Sequence, residues 1–425
     1  MMTTSTTAGL APVRDRLDNG AVVIVKETRT TAAVTISASV QAGSIYEPDD
    51  RLGLAHFLSR VIDRGTARRS ADEIGEALDF RGVSLSNAAT RHTQNVTCTC
   101  LAEDFDFIVR LLGEVICTPT IPAAEVEKRR AEIITAIRQD EDNPASVAME
   151  GLLAELYPDG HPYGRPSKGT VATVESIDRS ALEAFHAARF APSVLSLVIV
   201  GDVAPARAID AAADVFGAWR TGTPALVTLA SPPAARLRRR KVVPMMNKSQ
   251  ADIAYGFTTI SRFDPRFDAF TLMNNALGQY ALGGRLGDSI RERQGMAYYV
   301  FSTFDANAIE SPLIIRAGVN PSNVDRAVAS IDEEVARLSR EGLGAGELED
   351  CKRFLVGSMP RMLETNASIA RFLQMAEFFG LGTDYDVRLP ERLEAVTLEE
   401  ANAAAATLSP DTAAFVIAGP YQNEE

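Results

Sequence analysis

The sequence predicts an α+β protein of two homologous domains, each an antiparallel sheet flanked by helices, joined by an extended linker. Three observations carry that reading. The chain has 425 residues, which at about 150 residues per domain gives two or three domains. Features recur at one offset: Val34 and Ile253 open matching strand-like runs 219 residues apart, and Gly201 and Gly419 close matching runs 218 apart. Between the repeats, residues 221–241 (TGTPALVTLASPPAARLRRRK) are proline-bearing with a basic end, the composition of an extended connector. The expected boundaries are residues 1–220, a linker at 221–240, and residues 241–425.

The elements follow in pairs. Residues 34–40 (VTISASV) alternate as a strand does; a turn at Pro48-Asp49 leads into residues 52–62, apolar at helical spacing. In the second half 253–257 (IAYGF), Asp264-Pro265 and the helical run 267–277 repeat this order. Gly82 precedes a strand pair and the amphipathic run 105–116; Gly295 precedes a strand pair and the run 324–338. Helices at 123–139 and 346–363 match next. Each half ends on a helix and a glycine-closed β run, LSLVIVGDV and TAAFVIAGP.

Hydrophobic residues make up 46% of the chain and charged residues 23%, enough to give each half a core. Net charge is −13, which argues against nucleic acid or an anionic membrane as a partner, since both require a basic face. It permits an acidic cavity attracting basic peptides. Cys98, Cys100, Cys117 and Cys351 are scattered and form no C-x-x-C pair, so they read as free core thiols of a reducing compartment. With no apolar leader-like run and none near the ~18 residues of a membrane span, the expected location is the cytoplasm.

Residues 53–66 read GLAHFLSRVIDRGT. This stretch resembles the zinc helix of the pitrilysin/insulinase family of metallopeptidases, G-x-A-H-x-x-E-H-x-x-x-x-G-T. The resemblance extends over essentially the whole chain. It includes Ser86-Asn87-Ala88, EDNP at 141–144, HPYGRP at 161–166 and the run from Pro192 to Gly201-Asp202. Length and acidity are similar to the branch of the mitochondrial processing peptidase and its bacterial relatives. The chemistry of such a site needs two neutral imidazoles one helical turn apart and a carboxylate to take a proton from zinc-bound water. Here His56 stands at the first imidazole, but Ser59 replaces the glutamate and Arg60 the second histidine. By the same resemblance Ala136, in Thr135-Ala136-Ile137, replaces the third ligand. Arg60 is protonated and has no lone pair to give, so the expectation is that this chain holds no metal and that His56 is a packed relic. Two readings of Arg60 stay open: a charge at the metal's place paired with a nearby carboxylate, or a solvated or locally paired side chain.

Residues 283–304 read GGRLGDSIRERQGMAYYVFSTF. The pattern predicts a helix over 285–294, ended by Gly295, then a strand placing Tyr298 and Tyr299 on opposite faces. The family carries L-R-E-x-x-G-L-A-Y here, so the resemblance assigns its Arg/Tyr pair to Arg291 and Tyr298; Ile290 and Met296 replace leucines. An arginine fork can bind peptide carbonyls, and a tyrosine hydroxyl can donate to a developing oxyanion. From residue types alone, a helix-end arginine and a core tyrosine would explain the pair as well. Gly278, Gly283 and Gly284 form a glycine-rich approach, either a gate for substrate or a flexible turn. Ser86-Asn87-Ala88 resembles the edge that pairs with substrate in active members. His92, His161 and His186 lack partners at ligand spacing.

The resemblance implies a non-metal-binding subunit of a heterodimeric zinc metallopeptidase, inactive alone. A homologous partner chain with an intact H-x-x-E-H would supply the zinc. This chain would supply Tyr298 for transition-state stabilisation, and Arg291, Tyr298, Gly283 and Gly284 for binding unfolded peptides. It would carry no cofactor of its own. The alternative is a non-catalytic structural or peptide-binding scaffold subunit, which has no need of the Arg291/Tyr298 motif. A self-sufficient protease would require a nucleophile and base constellation that the sequence lacks.

Overall fold

The computed structural model describes residues 9–279 and 284–422; Gly283, expected to touch substrate, lies outside the described residues. Strands β1 (Val13–Arg16), β2 (Val22–Glu27), β3 (Ala33–Val40), β4 (Leu85–Ala89), β5 (Gln94–Leu101) and β6 (Leu195–Gly201) form one sheet in the order β1-β2-β6-β3-β5-β4. Strands β7 (Arg239–Pro244), β8 (Ala251–Thr258), β9 (Ala297–Phe304), β10 (Pro312–Val319) and β11 (Ala414–Gly419) form a second, in the order β7-β11-β8-β10-β9. From β2 onward the first order repeats in the second, strand for strand, so the internal repeat is a repeat of topology and the fold is α+β.

The expectation of purely antiparallel sheets needs correction: both sheets are mixed. β6 runs parallel to β2 and β11 parallel to β7, while the remaining ladders are antiparallel. The closing strand of each repeat returns after long helical connections and inserts beside the opening strand, and a connection of that length permits parallel pairing.

The chain divides into two compact units that are not contiguous stretches. One comprises residues 1–137, 166–227 and 359–388; the other 138–165, 228–358 and 389–425. Two helices explain this. In the first unit, helix Asn366–Phe378 lies on β3 and β6. Its Ile369, Ala370 and Leu373 bury Ile24, Val198 and Val200. Gln374 donates to the Ser37 and Ser196 carbonyls at 2.7 and 3.1 Å and accepts from the Ser196 hydroxyl at 2.6 Å. This cover is why β3 is buried on both faces despite Thr35, Ser37 and Ser39. In the second unit, helix Pro144–Leu156 lies on β8 and β11. The approach is close: a Cβ on Gly256 would sit 3.2 Å from Leu152 and one on Gly151 3.1 Å from Val416.

On its opposite face the first sheet packs Ile36 and Ala38 against Phe57, Leu58, Phe105 and Leu112, all fully buried. The second packs Tyr255 and Ile315 against Leu272, Ile331 and Leu338. Residues 219–236 adopt neither helix nor strand. All four cysteines are free, and burial pushes the thiols of Cys100, Cys117 and Cys351 up to about 12. Among the described residues no helix is long and apolar enough to cross a membrane.

Candidate functional site

Helix Leu54–Val61 carries His56, Ser59 and Arg60. It starts at Gly53, where φ is +92° and a Cβ would lie 2.3 Å from the Lys168 carbonyl oxygen, so only glycine fits. Buried Glu47 accepts hydrogen bonds from the Gly53 and Ala55 amides at 2.9 and 2.7 Å, placing a carboxylate at the positive helix end. Leu54, Phe57, Leu58 and Val61 face the core, which leaves His56 half-buried and Arg60 exposed. Ser59 is buried, and its hydroxyl donates back to the His56 carbonyl at 2.7 Å. Ala136 lies on helix Ala123–Glu141, one turn past Glu132.

Of the two readings of Arg60, the structure favours the paired one: its guanidinium is 3.8 Å from Glu132. The pair belongs to a larger network that the sequence reading missed. Arg129 holds both Glu132 oxygens, at 2.8 and 2.6 Å, and lies 3.6 Å from Glu125. Asp63, only 7% exposed, sits 3.3 Å from Arg64. Burial pushes the Asp63 carboxyl above its ordinary value, opposed by the charges of Arg64, Arg129 and Arg60. The Arg129 hydrogen bonds hold Glu132 below the usual carboxylate range. The spacing of Glu125, Arg129 and Glu132 on one helix face was the available signal.

This donor set does not fit zinc. Ser59 and Ala136 offer no ligand, Arg60 offers only donors, and one imidazole does not hold the ion. Among the described residues no three His, Cys, Asp or Glu side chains come together as a metal site. The other histidines are tied elsewhere. The His161 Nδ1 accepts from the Tyr163 amide at 3.1 Å, while its Nε2 is 3.0 Å from the Ala230 carbonyl. His186 meets the Ile116 carbonyl at 2.8 Å, and His92 is buried with its ring edge on Phe378.

The second motif lies in the second unit. The helix expected over 285–294 is wound as a π-helix over Gly287–Arg293, a form concentrated at functional sites. Arg285 anchors its start with a fork onto Glu347 at 2.7 Å per arm. Gly295, at φ +60°, ends it as expected, its amide donating to the Arg291 carbonyl at 3.0 Å. β9 follows as the edge strand. Tyr298 and Tyr299 part as the strand period requires: Tyr298 is 81% exposed, whereas the Tyr299 hydroxyl donates to Asp252. Arg291 is exposed, its nearest carboxylate being its neighbour Glu292 at 3.8 Å. Both readings by residue type alone, a core tyrosine and a helix-end arginine held locally, leave Tyr298 without a structural reason for its exposure. For Gly284 there is a steric reason: a Cβ there would come within 2.8 Å of the Gly278 Cα. In the first unit β4 holds the equivalent edge position, with Ser86 and Ala88 exposed.

Comparison with known proteins agrees with this geometry. The family model described as "Insulinase (Peptidase family M16)" matches residues 22–170, and the one described as "Peptidase M16 inactive domain" matches residues 176–355. The chain therefore belongs to the insulinase/pitrilysin family of peptidases. An "uncharacterized zinc protease" of Mycobacterium tuberculosis is 28% identical over 425 residues, covering 97% of this chain and 94% of the relative. The "uncharacterized zinc protease YmxG" of Bacillus subtilis is 25% identical, covering 95% and 97%. Among solved structures, a "peptidase M16 inactive domain" from Pseudomonas fluorescens superposes with a TM-score of 0.90 at 25% identity, covering 98% of this chain and 99% of that one. A protease from Helicobacter pylori, 18% identical with a TM-score of 0.88 and coverage of 96% and 99%, shares the fold. Within this family the present chain lacks the zinc ligand set.

Proposed function

We propose that this protein is the non-metal-binding subunit of a two-chain zinc peptidase that cuts unfolded peptides. A homologous chain bearing H-x-x-E-H supplies the zinc and its hydroxide; this chain supplies Arg291 to hold the peptide backbone and Tyr298 to donate to the oxyanion. The observation carrying the reading is the pairing of opposites. The positions that would bind zinc are filled by a donor-only arginine in an ion-pair network. The Arg/Tyr motif is intact, and its tyrosine stands 81% exposed on an edge strand. A core-packing role would bury that ring, and a scaffold has no use for the motif.

The test is peptide cleavage by this chain reconstituted with a zinc-bearing homologue, with assembly followed by size. Tyr298→Phe keeps the ring and removes one hydroxyl. The pair should assemble normally and lose on the order of 10²-fold in catalytic efficiency, as when one oxyanion donor is removed. Arg291→Ala should raise KM with assembly intact. Wild-type cleavage by both variants would leave the chain a scaffold.

A further inference from the structure

The helix Leu54–Val61 has changed the kind of group it presents. Zinc needs lone pairs, whereas Arg60 has only N–H donors, five in a planar fork, and Ser59 has turned its hydroxyl inward onto the His56 carbonyl. A site of donors suits an anion. Arg60 is also little committed. Its side chain is 45% exposed, and its one ion-pair partner among the described residues, Glu132, stands at 3.8 Å, beyond hydrogen-bond reach. Glu132 is meanwhile held by Arg129 at 2.6 and 2.8 Å.

Beside this helix lies β4. It has a sheet neighbour on one side only, so alternate amides and carbonyls along it carry no ladder bond. Exposed edges are commonly blunted by lysine, proline or a bulge. β4 reads LSNAA, with no charge and no proline, and pairs with β5 in unbroken register. Its outward side chains, Ser86 and Ala88, are small and let another strand approach. An open edge takes an extended backbone by strand addition, and a free guanidinium at its side takes a carboxylate through a bidentate pair.

We propose that the Leu54–Val61 helix and the edge of β4 form a dock for an extended peptide, with Arg60 gripping a carboxylate of that peptide. The ligand class is an unfolded peptide ending in a free carboxylate or carrying an acidic side chain near its end. The dock belongs to the first unit and is independent of the role given to Arg291 and Tyr298.

The experiment uses the full chain alone, without a partner. Short uncharged Val/Thr peptides, labelled at the N-terminus, are titrated and followed by fluorescence anisotropy. One has a free C-terminus, one a C-terminal amide, and one an amide with a penultimate aspartate. At least one carboxylate-bearing peptide should bind roughly ten- to hundredfold tighter than the plain amide, the scale of a charge-assisted hydrogen bond. Which of the two does so identifies the terminus or the side chain as the source. Arg60→Gln should erase the difference, Arg60→Lys should keep part of it, and Ala88→Pro should weaken all three peptides together. Equal binding of all three to the wild-type chain overturns the proposal, as does a carboxylate preference that survives Arg60→Gln. If Arg291→Ala, and not Arg60→Gln, removes the preference, the carboxylate is held by the second unit and the dock does not exist.

Discussion

Replacing Leu373 by alanine should loosen a sheet formed by strands from the opposite end of the chain. Leu373 is 2% exposed and packs with Ile369 onto Ile24, Val198 and Val200, themselves at most 2% exposed. The surrounding residues belong to two strands and a helix and cannot collapse far into the space left behind. The cost should be about 3 kcal/mol, within the roughly 2–5 kcal/mol range of buried Leu→Ala changes. Amides that exchange through opening of that unit should therefore exchange on the order of 10²-fold faster. The assay is native-state hydrogen exchange resolved by peptide, with Leu338→Ala as comparison, since Leu338 is fully buried in the second unit. Leu373→Ala should deprotect β3 and β6; Leu338→Ala should deprotect β8 and β10. If the effect of Leu373→Ala is confined to residues beyond 241, helix Asn366–Phe378 does not cover the first sheet and the argument fails.

Three further outcomes can be checked. Burial depresses His92 from 6.5 to about 4; the unfolded chain then binds a proton that the native chain refuses, so stability falls as pH drops through that window, by about 3 kcal/mol in all. His92→Gln should flatten this part of the acid limb in urea midpoints taken at pH 7 and pH 4.5, and an unchanged limb would refute it. Asn275 is fully buried with neither side-chain polar atom paired, so Asn275→Leu should stabilise the second unit by about 1–2 kcal/mol, read from the thermal midpoint; a loss of stability would show that the amide is satisfied. The purified chain should carry no stoichiometric zinc by elemental analysis and keep its midpoint in chelator, whereas Ser59→Glu, Arg60→His and Ala136→Glu combined should bind about one zinc per chain; zinc in the wild-type protein, removable with loss of stability, would contradict the donor argument.

Much of this was legible in the sequence because it is local. Strand and helix periods reveal the two repeats, Gly295 ends its helix because only glycine rests easily at positive φ, and adjacent positions in a strand send Tyr298 and Tyr299 to opposite faces. Ser59, Arg60 and Ala136 disqualify a zinc site by atom type alone, whatever the fold around them. What remained for the tertiary structure is what depends on which surfaces meet. An apolar stripe on helix Asn366–Phe378 says that the helix must be covered, not by which sheet, so its place on β3 and β6 could not be read from its own residues. The burial of Thr35, Ser37 and Ser39 follows from that cover, because a serine beneath a glutamine that bonds it is as well satisfied as one in water. The π-winding of Gly287–Arg293 depends on packing beyond its own residues, and the Arg129–Glu132 pair beside Arg60 depends on how near two helices lie. Sequence determines which groups a residue can offer; only the folded chain determines which partners those groups meet, because burial and hydrogen bonding are properties of surfaces brought together from distant parts of the chain.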